Sequence, residues 1–217
     1  MREQTHDISE TDLAGIMAMA KLAESRDLGM EKHLKRVRTF CRMLAERLGE
    51  RPRYGSRIGR GFAEDIYYAS PLHDIGKAVI PESILVKRGR LTSEEFAIMQ
   101  SHADCGARTL EAIREEYPDS AILRMGIDIS RHHHERWDGS GYPCRLAGES
   151  IPLAARIMAV ADVYDALRSE RCYKPAYSHQ YSRDVIVSES GSHFDPDMVE
   201  AFVELEEAFR ESRERMD

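Results

Sequence analysis

The chain has 217 residues, 42% hydrophobic and 32% charged, which is typical of one ordinary globular domain with a single core. Its formal net charge of −7 argues against duplex DNA or RNA as the main partner, because nucleic-acid affinity usually depends on a basic surface. The polar first ten residues show no signal peptide, and no apolar run is long enough to cross a bilayer. We therefore expect a cytoplasmic protein.

The cysteines are scattered along the chain, without a CxxC pair. Zinc-binding cysteines usually occur at short, regular spacings, so this distribution argues against a structural zinc site built on cysteine. Free thiols in a reducing compartment are the expected state. The four residues are Cys41, Cys105, Cys144 and Cys172.

Apolar residues recur at helical spacing in nearly every segment, and clear period-2 alternation is missing. The sequence therefore predicts an all-α fold. Gly49 is the expected C-cap of the second helix. Thr92 and Glu95 form a capping box ahead of a long helix, and Asp195 with Pro196 opens the last one. The helical stripes include Met17, Ala20, Leu34, Val37, Phe62, Ile66, Ala69, Met99, Met125, Ile129, Ile157, Ala161, Phe202 and Leu205.

Two stretches, residues 50–57 and 135–150, are predicted to be loops. The second contains Gly139, Gly141 and Gly148 and directly follows three consecutive histidines. Loops on a rigid scaffold often carry function, so this one is the first indication of a site.

Histidines and aspartates on five predicted helices align with the apolar stripes and should point inward. One inward histidine alone is usually a core residue with a backbone partner. Burying several together is unfavourable unless a metal compensates them, and imidazole and carboxylate ligands without thiolate suit iron or manganese better than zinc. The residues are His33, His73, His102, His133 and Asp162.

Asp74 could bridge two ions through its two carboxylate oxygens. Two metals about 3.5–4 Å apart activate a hydroxide and hold a phosphoryl group, so the pattern favours metal-assisted phosphoester hydrolysis. Lys77, one turn after His73, would contact the phosphate or assist the leaving oxygen. The alternative is an ordinary surface lysine with an extended stem.

Two motifs are specific in combination: residues 73–77 read HDIGK, and residues 133–143 read HHERWDGSGYP. With them, the chain resembles the HD-GYP branch of the HD-domain phosphohydrolases from about residue 12 to 202. The resemblance implies a helical bundle whose metal centre hydrolyses the 3'-5' phosphodiester bonds of cyclic di-GMP. The products would be linear pGpG and, after a second cut, GMP. Connecting segments 80–85, 91–96, 151–157, 161–167 and 194–196 also match.

The resemblance also assigns individual residues. Arg171 and Lys174 match contacts to the substrate phosphate, and Tyr142 matches a loop tyrosine near a guanine, where stacking on the base gives it a physical reason. The alternative for Tyr142 is packing within its own loop. His132 is expected to be a neighbour of the ligands. The implied metal ligands are His33, His73, Asp74, His102, His133, His134 and Asp162.

One position departs from the family pattern. Many members carry a glutamate four residues before the first ligand histidine, where it helps to hold a third metal, and here that position is Gly29. Glu31 is only two residues before His33 and would face away from it on a helix. We therefore expect two metal ions rather than three.

The predicted domain covers residues 12–210, between a tail at 1–11 and another at 211–217. Its first helix, about residues 9–26, is either ordinary core or a signalling or dimerisation helix. No receiver or sensor domain is seen, which suggests a stand-alone enzyme or an excised fragment. Two other functions stay open. One is hydrolysis of another cyclic dinucleotide. The other is a catalytically weak module that binds a cyclic dinucleotide, or a protein such as a GGDEF-type signalling protein, through its Gly-Tyr-Pro loop.

Overall fold

The computed structural model describes residues 10–23, 30–59, 61–170 and 175–217. Within these ranges the chain is helical, with a single isolated β-bridge and no strand, which confirms the predicted all-α fold. None of the described helices is both long and apolar enough to cross a membrane. The helices are α1 Glu10–Ala23, α2 Met30–Gly49, α3 Phe62–Ala69, α4 Glu82–Leu85, α5 Ser93–Glu116, α6 Ala121–His132, α7 Leu153–Arg168, α8 His179–Ser188 and α9 Pro196–Met216. Three 3₁₀ turns span Ser70–Leu72, Ile75–Val79 and Gly148–Ser150.

The helix starts predicted at Thr92 and Asp195 are confirmed. The Thr92 hydroxyl accepts a hydrogen bond from the Glu95 N–H, and the Glu95 carboxylate accepts one from the Thr92 N–H, which completes the capping box of α5. Asp195 caps α9, with Pro196 in its first turn. The C-cap predicted at Gly49 is wrong, because α2 includes Gly49 and this glycine does not adopt a positive φ.

The main core lies where α2 packs against α7 and α9. Phe40 of α2 stacks on Phe209 of α9, with ring centroids 4.4 Å apart, and Tyr164 of α7 meets Phe40 edge to face at 5.4 Å. All three rings are fully buried. Each large apolar side chain removed from water contributes roughly 1.5–3 kcal/mol, so this contact holds the bundle together around α2.

The first helix packs its apolar stripe inward. Met17 and Ala20 of α1 are buried against Leu34 of α2, so the interpretation of the stripe as ordinary core is the one the structure supports. Leu22, on another side of α1, is 75% exposed. A role of this helix in dimerisation stays a prediction.

After α3 the chain departs from the predicted helical stripe. The predicted stripe through His73 is wrong at its end, because α3 stops at Ala69 and two 3₁₀ turns follow. Pro71 gives the physical reason: it has no N–H for an α-helical hydrogen bond and its ring clashes with the preceding turn. The two residues between the 3₁₀ turns are His73 and Asp74, which therefore project from a sharp bend.

Gly76 lets this bend approach α5 directly. A β-carbon at Gly76 would lie 2.0 Å from the carbonyl oxygen of His102 and 2.6 Å from the backbone nitrogen of Gly106. Both are backbone atoms of α5, so neither can turn aside. The absence of a side chain at Gly76 is therefore what brings Asp74 and His102 close together.

Replacing Gly76 by alanine should force the bend away from α5. Overpacking against rigid backbone destabilises by about 1–3 kcal/mol, so we expect the melting temperature of Gly76→Ala to fall by at least about 2 °C. Gly15→Ala is the matched control, because a β-carbon there meets nothing within 4 Å and alanine favours the helix. Equal melting temperatures for the two variants would contradict the proposed close contact.

Candidate metal centre

The structure brings the seven predicted ligand residues together in two neighbouring groups. The first contains Asp74, His102, His133 and His134, and the second contains His33, His73 and Asp162. Within each group, one donor atom from every residue lies within 4.8 Å of the others. Residues up to 129 positions apart in sequence therefore meet at one place in the fold.

The sequence predicted that five helices supply these residues, and this is only partly the case. His33, His102 and Asp162 do project from helices, namely α2, α5 and α7. His73 and Asp74 come from the bend after α3, and His133 is the C-cap of α6. A bend and a helix end can aim adjacent side chains in ways that a regular helix cannot, since neighbours on a helix diverge by about 100°.

Asp74 lies between the two groups. Its Oδ1 is 3.2 Å from Nε2 of His102 and 3.7 Å from Nε2 of His133, whereas its Oδ2 is 3.1 Å from Nε2 of His73. Two ligands bound to one octahedral ion at right angles lie about 3 Å apart, so these separations suit shared ions. The two oxygens face opposite groups, as a bridging carboxylate requires.

Three of the imidazoles are oriented by their own preceding turns. In each, Nδ1 lies within hydrogen-bond distance of a backbone carbonyl, so Nδ1 carries the proton and Nε2 presents its lone pair to Asp74. The distances are 3.0 Å from His73 to Ser70, 2.6 Å from His102 to Met99 and 3.0 Å from His133 to Ile129. The backbone therefore fixes both the tautomer and the direction of these rings.

Several buried polar atoms at this place lack a hydrogen-bond partner among the described residues: Nε2 of His102, Nε2 of His133 and Oδ1 of Asp74. An unsatisfied buried polar group costs about 1–3 kcal/mol, so three of them side by side need a compensating partner. A divalent cation accepts lone pairs from all three at once. The residues present therefore fit a metal centre, and the two groups could bind metal ions.

The electrostatics agree with neutral imidazoles around a charged carboxylate. Burial would raise the pKa of Asp74, but Lys77, His73 and the neighbouring imidazoles outweigh it and hold this pKa well below its usual range. Burial lowers the pKa of His133 and His134. Neutral histidine and ionised aspartate are the protonation states that bind metals.

A feature that the sequence interpretation missed is the carboxylate of Asp165, which holds His33. Oδ2 of Asp165 lies 2.8 Å from Nδ1 of His33, so Nε2 of His33 faces Asp162, 3.7 Å away. Arg36 and Arg213 both donate to the same carboxylate, Arg36 through two nitrogens. Burial would raise the pKa of Asp165, but the hydrogen bonds from His33 and Arg36 dominate and lower it.

Helical spacing would have allowed this partner to be found. Asp165 follows Asp162 by three residues on α7, and Arg36 follows His33 by three residues on α2. Residues three apart share a helix face, so each pair points the same way. The contribution of Arg213, which is 48 residues from Asp165, leaves no such signal in the sequence.

The predicted substrate contacts are described only in part. The ammonium group of Lys77 donates to Oδ2 of Asp74, so its side chain is directed at the centre. The ring of Tyr142 stacks on His134, with centroids 4.7 Å apart and an interplanar angle of 25°. Arg171 and Lys174 lie outside the described residues, as does Gly29, the position linked to the third metal.

The glycine-rich loop after the histidines is held to the end of α6. The buried carboxylate of Glu135 accepts hydrogen bonds from the N–H groups of Cys144, at 2.7 Å, and Leu146, at 3.1 Å. The N–H of Tyr142 donates to the carbonyl of His134 at 3.2 Å. This loop, predicted at 135–150, therefore has a defined position beside the two ligand groups.

Fold and site together define an all-α protein with clustered histidine and aspartate side chains that could hold metal ions. A sequence model described as an HD domain matches residues 17–198, and the chain belongs to the HD domain family. The resemblance found in the sequence is thereby confirmed.

Relatives with assigned names cover most of this chain. It is 45% identical over 204 residues to a cyclic di-GMP phosphodiesterase of Vibrio cholerae, covering 94% of this chain and 42% of the relative. It is 42% identical over 185 residues to a cyclic di-GMP phosphodiesterase of Thermotoga maritima, covering 85% of this chain and 47% of the relative. The chain thus spans less than half the length of these relatives.

The fold is also found among solved structures. A protein of Bdellovibrio bacteriovorus described as an HDG"Y"P protein aligns with a TM-score of 0.60 at 15% sequence identity, over 96% of this chain and 75% of the other. Similarity at this level of identity supports the shared fold alone.

Asp165 should contribute to metal binding through the orientation of His33. In Asp165→Asn the amide no longer offers a charged acceptor to His33, and we expect the affinity for Mn²⁺ to fall about ten- to hundred-fold, as for other partners of ligand histidines. The measurement is metal titration, with the exposed Asp184→Asn of α8 as control. A lower melting temperature with unchanged Mn²⁺ affinity would limit Asp165 to stabilising the fold.

Proposed function

We propose that this chain is a metal-dependent phosphodiesterase that hydrolyses the 3'-5' phosphodiester bonds of cyclic di-GMP, giving linear pGpG. The observation that carries the proposal is the position of Asp74, with one carboxylate oxygen toward each of two histidine groups. The names of the relatives from Vibrio cholerae and Thermotoga maritima support the substrate.

We propose that the seven residues bind two divalent ions, iron or manganese, because the ligands are imidazoles and carboxylates without thiolate. When bound, such a pair of ions supplies an activated water and Lewis acidity at the phosphate. Asp74 would keep the two ligand groups at a fixed spacing. The backbone bonds to Nδ1 of three histidines keep the rings from turning when substrate enters.

Lys77 is the proposed catalytic cation. Its ammonium group is held by Asp74 at the edge of the centre, and its side chain is 23% exposed, so it can reach both the carboxylate and an entering phosphate. At that position it would neutralise charge that develops on the phosphate or the leaving oxygen. Arg171 and Lys174 are proposed as further phosphate contacts from the family resemblance.

Tyr142 is proposed to contact a guanine of the substrate. One face of its ring is covered by His134, and the residue is partly exposed, so a base could stack only on the other face or meet the ring edge. Burial raises the pKa of the Tyr142 hydroxyl, which therefore stays protonated and can donate a hydrogen bond.

A different cyclic dinucleotide is the second candidate substrate. A relative from Vibrio cholerae named 3'3'-cGAMP-specific phosphodiesterase 2 is 38% identical over 198 residues, covering 91% of this chain and 35% of that protein. Turnover of cyclic di-GMP and 3'3'-cGAMP by anaerobic chain loaded with iron or manganese, with products separated by chromatography, tests the substrate. Faster turnover of cyclic di-GMP supports the proposal, and faster turnover of 3'3'-cGAMP overturns its substrate.

The Gly-Tyr-Pro loop also offers a surface for partners. A cavity of about 490 Å³ lies between this loop and α5, lined by polar side chains that include Ser101, Asp104 and Arg145. Contacts with a GGDEF-type protein through this surface, a homodimer and a cytoplasmic location all remain proposals. Binding of cyclic di-GMP without turnover in metal-loaded chain would favour an inactive binding module instead.

Asp74→Ala is the most direct test of the centre. Removing the carboxylate between the groups should abolish detectable turnover, a loss of at least about a thousand-fold, and should also release bound metal. Turnover and metal content are measured on the same preparation. Asp184→Ala, at an exposed position of α8, should keep both values. Full activity in Asp74→Ala would refute the proposed site.

Gly29→Glu tests the predicted number of ions. If the missing carboxylate is what limits the count, this variant should bind close to three metal ions per chain rather than two, and metal analysis after anaerobic purification measures the change. A count that stays at two would show that Gly29 is not the limiting feature.

A further inference from the structure

A third group of possible ligands lies next to the centre and shares none of its seven residues. It consists of His132 at the end of α6, Glu135 just after it, and Cys144 in the glycine-rich loop. Their donor atoms lie within 4.8 Å of one another, and Nδ1 of His132 is 3.7 Å from Oε1 of Glu135. One side chain from the end of α6 and two from the loop at 135–150 therefore converge.

The group contains a buried nitrogen without a partner. Nδ1 of His132 makes no hydrogen bond with any described residue, although the side chain is only 12% exposed. An imidazole whose buried Nδ1 has no hydrogen-bond partner and faces a carboxylate presents a lone pair that a cation can bind.

The Glu135 carboxylate is fixed in position beside His132. Its side chain is fully buried, and each of its oxygens accepts one backbone N–H, from Cys144 and from Leu146. A carboxylate oxygen has two lone pairs, so each keeps one for a further partner. The same hydrogen bonds hold the backbone of Cys144 against Glu135.

We propose that His132, Glu135 and Cys144 bind one zinc ion. Zinc lies about 2.0–2.2 Å from nitrogen and oxygen ligands and about 2.3 Å from sulfur, so tetrahedral ligand pairs are separated by about 3.3–3.6 Å. The 3.7 Å between Nδ1 of His132 and Oε1 of Glu135 is close to that value. Binding would release the thiol proton of Cys144 to solvent, and a water would take the fourth position on the exposed side.

This site differs chemically from the centre around Asp74. A thiolate selects softer cations, whereas imidazole and carboxylate alone suit iron and manganese. It also needs one cysteine only, so the absence of a CxxC pair does not argue against it. Because Cys144 follows Tyr142 by two residues, a bound ion would tie the loop to the end of α6 and keep Tyr142 against His134.

Cobalt substitution tests the site independently of any enzymatic activity. Co²⁺ takes the place of Zn²⁺, and a thiolate ligand gives it a charge-transfer absorption in the near ultraviolet that imidazole and carboxylate ligands do not. We expect this band in reduced wild-type chain titrated with Co²⁺, its loss in Cys144→Ser, and its retention in Cys105→Ser, the control on α5.

Native mass spectrometry with Zn²⁺ gives the second measurement. Cys144→Ser should bind one zinc ion fewer than wild type and Cys105→Ser, and His132→Gln should weaken the affinity of that ion at least about ten-fold. The proposal is overturned if wild type shows no charge-transfer band, or if the band and the zinc count survive in Cys144→Ser. Neither the cobalt band nor the zinc count depends on phosphodiesterase activity, so a negative result in that assay would not affect this test.

Discussion

The structure depends on one buried carboxylate, Asp74, placed among imidazole rings. A charged oxygen and several lone pairs buried together are unfavourable unless a cation satisfies them. The local chain keeps them there nonetheless: Pro71 ends the α-helix, the bend directs Asp74 toward the histidines, and Gly76 allows contact with α5. Unsatisfied buried polar atoms reduce stability, so their presence here is better explained by a role in function.

The histidines proposed as ligands are anchored in two ways. Three use carbonyls of their own preceding turns, which makes their orientation a local property of the chain around each histidine. His33 instead depends on Asp165, which Arg36 and Arg213 also contact. Through Arg213, α9 at the far end of the chain helps to orient a residue of α2. The aromatic core that joins α2, α7 and α9 therefore also positions the second ligand group.

Much of this arrangement could be predicted from the sequence, because helical periodicity, the capping box at Thr92 and the two motifs are local signals. The residues that converge were predicted individually, but their division into two groups depends on contacts between distant segments, which periodicity does not contain. The end of α3 was missed because the stripe continued past Pro71. Asp165 was overlooked beside the more evident Asp162, and the group of His132, Glu135 and Cys144 depends on how the loop folds back.

Asp74 is proposed to join two metal ions. Anomalous diffraction from crystals of manganese-loaded chain, collected at the manganese absorption edge, locates such ions directly. We expect two peaks about 3.5–4 Å apart, one beside each proposed ligand group, with an oxygen of Asp74 bound to each. A single peak, or two peaks with Asp74 bound to neither, would contradict it.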